Sequence, residues 1–161
     1  MDAWETSGYL DKADYPLGWR DALDDDGHIW AAELDGAIIA SCRVNIFKRA
    51  SQIEYSRVSD LLRFCDAGGL RLNYPLAYNS RMVVSPSFRR LGVSLTLDEF
   101  RMRFIRGANA KMIIATTDLC WRRDSLVARG WCYLGDINPE FDPDSKIGVS
   151  HVVTMKMPYE S

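Results

Sequence analysis

The chain has 161 residues, 47% of them hydrophobic and 26% charged, with a formal net charge of −2. This fits a single soluble domain over 1–161 with a polar, acidic segment over 1–27, and it shows no internal repeat or low-complexity tract. No apolar run approaches the roughly 20 residues that a membrane-spanning helix needs, and the N-terminus carries no signal-peptide pattern, so a cytoplasmic protein without membrane contact is expected.

The acidic segment ends at Asp24-Asp25-Asp26-Gly27, a turn signal. His28 to Leu34 reads as a strand, Asp35-Gly36 as a two-residue hairpin turn, and Ala37 to Phe47 as the partner strand. From Tyr55 to Cys65, Val58, Leu61, Leu62 and Cys65 fall at helical spacing, and Gly68-Gly69 closes that helix. Tyr78 to Val84 is a strand ending at a proline turn. Val93, Leu97, Phe100 and Phe104 give the next helix, ending at Gly107, a core stripe. Lys111 to Thr116 is a strand, with Asp118 expected to cap the short helix Trp121 to Ala128 that Gly130 stops. Trp131 to Leu134 and Ser150 to Met157 are the last strands, separated by a turn-rich loop over Asn138–Gly148. The order predicts an α/β fold with one crossover connection.

Charge is unevenly spread. From Arg81 to Arg129 there are ten Lys/Arg against four Asp/Glu, so an anionic partner is expected for that segment. Within it, Arg89-Arg90-Leu91-Gly92-Val93-Ser94 lies between a strand and a helix. A tight basic turn at a helix N-terminus offers free backbone N–H groups and the positive end of the helix dipole to a phosphate. The four cysteines, Cys42, Cys65, Cys120 and Cys132, lie far apart and read as free thiols rather than a zinc site or disulfide framework, and no metal is expected.

Arg89-Arg90-Leu91-Gly92-Val93-Ser94 resembles the pyrophosphate loop R-x-x-G-x-G/A of the GCN5-related N-acyltransferases (GNATs), with Ser94 at the second small position. Arg129-Gly130-Trp131 sits where that family has a Lys-x-Gly-Phe-like helix end, and the element order from His28 to Met157 also fits. The resemblance implies a mixed, mostly antiparallel central sheet flanked by helices. It implies an acyl donor that is a phosphopantetheine thioester, either acyl-CoA or acyl carrier protein, lying along Met82-Val83-Val84. The N–H groups of Leu91, Gly92, Val93 and Ser94 would hold its phosphates, helped by Arg89 and Arg90. The acceptor implied is the amine of a small molecule such as an amino acid.

The family's usual tyrosine acid falls at Leu126, and its common asparagine at Cys120, so this chain departs from the pattern at both. Tyr78 and His151 are the candidates for acid-base work, and Arg43 and Arg81 for binding an acceptor carboxylate. Equally, each arginine could pair with an acidic neighbour. Asp21-x-x-Asp24, Ser41-Cys42-Arg43-Val44 and Ser80-Arg81 also resemble the acyl-homoserine-lactone and N-acyl amino acid synthases, although Tyr78 stands where those enzymes have glutamate. Two other readings stay open: an aminoacyl-tRNA-dependent transferase, and a non-catalytic acyl-CoA-binding module. The oligomeric state is left open, a homodimer included.

Overall fold

A computed structural model describes residues 22–52, 64–137 and 150–157. Most of the expected helix over Tyr55–Cys65, the loop Asn138–Gly148 and residue Asp21 lie outside them. Strands β1 (His28–Leu34), β2 (Ala37–Phe47), β3 (Leu76–Val84), β4 (Met112–Thr117), β5 (Cys132–Ile137) and β6 (Ser150–Lys156) are joined by helices α1 (Val93–Gly107) and α2 (Cys120–Val127). The hydrogen-bonded order is β1-β2-β3-β4-β6-β5. β3 and β4 are parallel, whereas β1/β2, β4/β6 and β5/β6 are antiparallel. This is the mixed α/β sheet that the element order implied. The described residues divide into two compact units, one drawn from the chain up to Asn45 and Ser80–Phe104, the other from Ile46–Asn79 and from Ile105 on.

In the first unit, Asp35 and Gly36 have φ of 51° and 79°, the left-handed pair that a type I′ hairpin turn requires. A bulge between Ala32 and Glu33 shifts the β1/β2 register. Ala40 and Cys42 of β2 are buried with Leu97 of α1, and Trp30, Ala32, Met82, Val84 and Val93 pack around them. Trp30 meets Phe104 edge-on at 5.1 Å between ring centroids, and His28 lies 4.3 Å from the same ring.

The expected core stripe of α1 is corrected at one position. Phe100 is 49% exposed, with the Arg103 guanidinium over its ring, while Arg101 is only 4% exposed and ion-paired with Asp98. The buried stripe is therefore Leu97, Arg101 and Ile105, spaced four residues apart, with a paired guanidinium standing where an apolar residue is usual.

The second unit is centred on β4, where Met112, Ile113 and Ile114 are fully buried, as in a strand covered on both faces. β3 pairs with β4 from Leu76 to Asn79, and β6 pairs along β4's other edge. Phe64 to Ala67 form the end of a helix, which Gly69 closes at φ 68° with Leu70 N–H donating to the Cys65 carbonyl. The expected Asp118 cap is also corrected. Leu119 holds the N-cap position of α2 with φ −106°, and its N–H donates to Thr117 Oγ1 at 3.3 Å. The extended residue ahead of the helix bonds to a preceding threonine, so the aspartate does not take the capping position. α2 ends as expected, with Gly130 at φ 90° and Trp131 N–H donating to the Leu126 carbonyl.

All four cysteines are free thiols. Burial pushes the Cys65 thiol up to about 11, with the nearby Asp66 charge adding to it. A raised thiol pKa favours the neutral form in the fold, while the unfolded chain ionises at the ordinary value near 9. Stability should therefore fall as the pH rises from about 9 and level off once the folded thiol ionises near 11. Denaturant melts across that window should show the loss, and Cys65→Ala should lessen it while lowering stability at neutral pH. An unchanged profile in the variant would contradict this account.

Candidate functional site

The basic turn lies wholly in the first unit. Ser85 N–H donates to the Ile39 carbonyl at 2.8 Å, fixing the end of β3 against β2. Pro86–Phe88 then form a single 3-10 turn, and Arg89 Nε folds back to the Val84 carbonyl at 3.1 Å. Arg90 and Gly92 have φ of 66° and 82°. Left-handed backbone on either side of Leu91 is the alternation from which anion-binding backbone nests are made. The arginine's left-handed conformation costs about 1–2 kcal/mol. Such strain concentrates at binding sites.

Gly92 also starts α1, its carbonyl accepting from Leu95 and Thr96 N–H groups. As a glycine it has no side chain of its own to cap the first N–H groups of the helix. Arg89, Arg90, Leu91 and Gly92 are all exposed, and Val93 and Ser94 half-buried. This places every residue of the expected phosphate loop on one turn.

Arg43 and Arg81 are also in this unit, and both face Asp24. Arg43 Nη1 contacts Asp24 Oδ1 at 2.5 Å and its Nε donates to Ser80 Oγ at 3.0 Å, while Arg81 Nη1 lies 3.3 Å from Asp24 Oδ2. Arg43 is 3% exposed. Of the two roles open for each arginine, pairing with an acidic neighbour is the one present. A Cβ on Gly27 would lie 2.5 Å from the Leu23 carbonyl oxygen and 2.8 Å from Arg43 Cδ, so only glycine lets the chain pass so close to this arginine. Arg81 itself has φ 52°, so β3 does not keep strand geometry there. Met82, Val83 and Val84, the expected pantetheine strand, follow it and are half-buried.

The second unit holds the acid-base candidates and separates them. Register places His151 opposite Thr117, and Tyr78 opposite Ile114. Alternation along the strands then puts Tyr78 with Ile114 and Thr116 on one face, and His151 with Ala115 and Thr117 on the other. The Tyr78 hydroxyl shares a 3.3 Å hydrogen bond with Thr116 Oγ1.

His151, 5% exposed, lies between two side chains that the sequence reading did not single out for chemistry. Its Nδ1 is 2.5 Å from Asp136 Oδ1, and its Nε2 is 3.2 Å from Cys120 Sγ. Tyr133 donates its hydroxyl to the same Asp136 oxygen at 2.6 Å. Desolvation would raise the Asp136 carboxyl, but the hydrogen bonds from Tyr133 and His151, with the charges of His151 and Arg123, outweigh it and hold the group below the usual carboxylate range. The same bond to Asp136 raises the Tyr133 hydroxyl.

Residues three apart on a regular strand face opposite ways, yet Tyr133 and Asp136 converge. A register shift between Tyr133 and Gly135 supplies the extra residue that brings both to the His151 face. Gly135, at φ 135°, has the Phe64 ring where a Cβ would be, 2.9 Å away. No local signal could have revealed this cluster, because Cys120, Asp136 and His151 come from a helix start and two strands.

Residues 1–125 match the family model described as "Acetyltransferase (GNAT) family". No curated protein matches. Among solved structures, mosquito arylalkylamine N-acetyltransferase like 5b is 12% identical with a TM-score of 0.66, covering 84% of this chain and 77% of its own. A GNAT family acetyltransferase from Elizabethkingia anophelis with acetyl-CoA bound is 10% identical with a TM-score of 0.59, over 83% of this chain and 78% of its own. Ribosomal-protein-alanine N-acetyltransferase from Brucella melitensis is 15% identical with a TM-score of 0.54, over 83% of this chain and 71% of its own. At these identities the likeness is one of fold.

Removing the Asp24 carboxylate takes an ion-pair partner from the buried Arg43 charge. Asp24→Ala should destabilise the protein by about 3 kcal/mol or more. A chemical-denaturation midpoint close to that of the unaltered protein would show that Arg43 is satisfied in another way.

Proposed function

Since the chain belongs to the GNAT family of acetyltransferases, we propose that it moves an acyl group from a phosphopantetheine thioester, acyl-CoA in the first instance, to the amine of a small molecule. The observation that carries this reading is the turn at Arg90–Ser94, where two left-handed residues and a helix start at a glycine offer backbone N–H groups to a pyrophosphate. Arg89 and Arg90 add charge beside it. The pantetheine arm runs along Met82-Val83-Val84, whose half-buried side chains flank its path. The whole chain acts as one acyltransferase domain in the cytoplasm, with no metal in the reaction.

Transfer to an amine needs the nucleophile held against the thioester carbonyl, a proton taken from the nitrogen and one given to the departing thiolate. His151 is the group assigned to those protons, because its ring is held by the Asp136 carboxylate. Tyr78 is the weaker candidate, its hydroxyl being shared with Thr116 on the opposite face. Arg81, 3.3 Å from Asp24, is the arginine placed to exchange that contact for a carboxylate on the acceptor. Arg43, buried beneath it, holds Asp24 in place.

Acetyl-CoA and longer acyl-CoAs should raise the melting temperature, and free thiol should appear when a mixture of amines is added. Gly92→Glu sets a carboxylate at the phosphate position and should weaken donor binding more than about a hundredfold, since like-charge contact costs several kcal/mol. A Cβ at Gly92 meets nothing within 4 Å, but φ of 82° strains any side chain there. Gly92→Ala therefore separates the effects. It should lose about 1–2 kcal/mol of stability and still bind the donor. No melting shift with any acyl-CoA or with acyl carrier protein would overturn the reading.

A further inference from the structure

We propose that Cys120 is a site of thiol–disulfide exchange, a thiol that His151 and Asp136 activate toward a small disulfide. The inference lies wholly within the second unit and stands independently of the donor reading. Cys120 is the first residue of α2 and is exposed. Its Sγ lies 3.2 Å from His151 Nε2. An ionised Asp136 can only accept hydrogen bonds, so its 2.5 Å contact with Nδ1 requires that nitrogen to carry the proton. In the neutral ring, Nε2 then turns its lone pair toward the thiol. A thiol beside a base that a third group orients is an activated nucleophile.

Exchange requires access and a means of removing the thiol proton, and the four cysteines differ in both. Cys42 and Cys65 are each 1% exposed, and burial, the largest influence on both, favours their protonated form. Cys132 is exposed, but it pairs in register with Thr154, which alternation puts on the sheet face opposite His151. Cys120 combines exposure with a base.

The groups around the imidazole are arranged to hold it for that task. His151 is 5% exposed, yet its two nitrogens reach an exposed thiol and a part-exposed carboxylate. Tyr133 donates to the same Asp136 oxygen that contacts the ring, which fixes the carboxylate. The Arg123 guanidinium lies over the Tyr133 ring at 5.2 Å and interacts electrostatically with Cys120, so negative charge developing on Sγ has a cation near it.

In the exchange, the Cys120 proton passes to His151 Nε2 as Sγ attacks one sulfur of the disulfide. The S–S bond of the reagent breaks, and its departing half takes the proton from Nε2 and leaves as a thiol. Cys120 is oxidised to a mixed disulfide, and the departing half of the reagent is reduced. A second thiol reverses the step and restores Cys120.

Bis(hydroxyethyl) disulfide is small and uncharged, so surface charge does not bias its reaction. Incubated with the whole chain near neutral pH and quenched with acid, it should modify the peptide carrying Cys120 about tenfold or more faster than the peptide carrying Cys132. Dithiothreitol should remove the adduct, and Cys120→Ser should abolish the fast phase. Asp136 is a positioning residue, and Asp136→Asn should slow Cys120 about tenfold while the rate at Cys132 stays unchanged. Cys132 lies on the same strand as Asp136, so its rate reports whether that strand is intact. His151→Gln should slow Cys120 as far. Where that buried position does not tolerate the change, Asp136→Asn, at a carboxylate 37% exposed, decides the matter. Equal rates at Cys120 and Cys132 in the unaltered protein would overturn the proposal, and so would an undiminished Cys120 rate in Asp136→Asn.

Discussion

A guanidinium taken out of water must meet a carboxylate, and in the first unit the burial of Arg43 makes that demand. Asp24 meets it, Ser80 takes the second side of the fork, and Gly27 is bare so that the chain can pass. Asp24 precedes β1, Arg43 lies on β2 and Ser80 on β3, so one ion pair and its hydrogen bond tie the chain ahead of the hairpin to the strand that leads into the basic turn. Asn45 extends the tie by donating to the Leu23 carbonyl at 2.7 Å. The left-handed residues at Arg81, Arg90 and Gly92 then follow along the same strand and turn. Their strain is sustained because the strand on which they depend is fixed from below.

The second unit solves a different problem. β4 is apolar and buried, so polar groups collect at its C-terminal end, where Thr116 and Thr117 meet Tyr78 and the start of α2. Period-two alternation divides those groups between the faces. The bulge in β5 then overrides the alternation at one point, and a tyrosine, an aspartate, a histidine and a cysteine converge. The basic turn is a run of consecutive residues, whereas this cluster is made of side chains from separate elements. That difference explains why one was readable as a motif and the other was not.

The hairpin was legible because Asp35-Gly36 demands a left-handed turn that few residue pairs accept, and its strands came out at His28–Leu34 and Ala37–Phe47 as read. Helix α1 was legible in its bounds, Val93–Gly107, yet misread on its face. Phe100 and Arg101 exchanged the places that hydrophobicity assigns them, because Asp98 neutralises Arg101 and Arg103 covers Phe100. The ends of the later elements moved by one to three residues, and Asp118 lost its cap to Leu119 and Thr117.

The sequence by itself determined what depends on neighbours in the chain: strands, turns, helix bounds and a basic turn whose residues are consecutive. It also carried enough of the family pattern to place the chain among the acetyltransferases. Only the tertiary structure decided that Arg43 and Arg81 share one aspartate, that Tyr78 and His151 face opposite ways, and that Cys120 stands against His151. Each of those outcomes depends on strand register, and register is set by which side chains can be buried together over the whole sheet rather than by any local stretch.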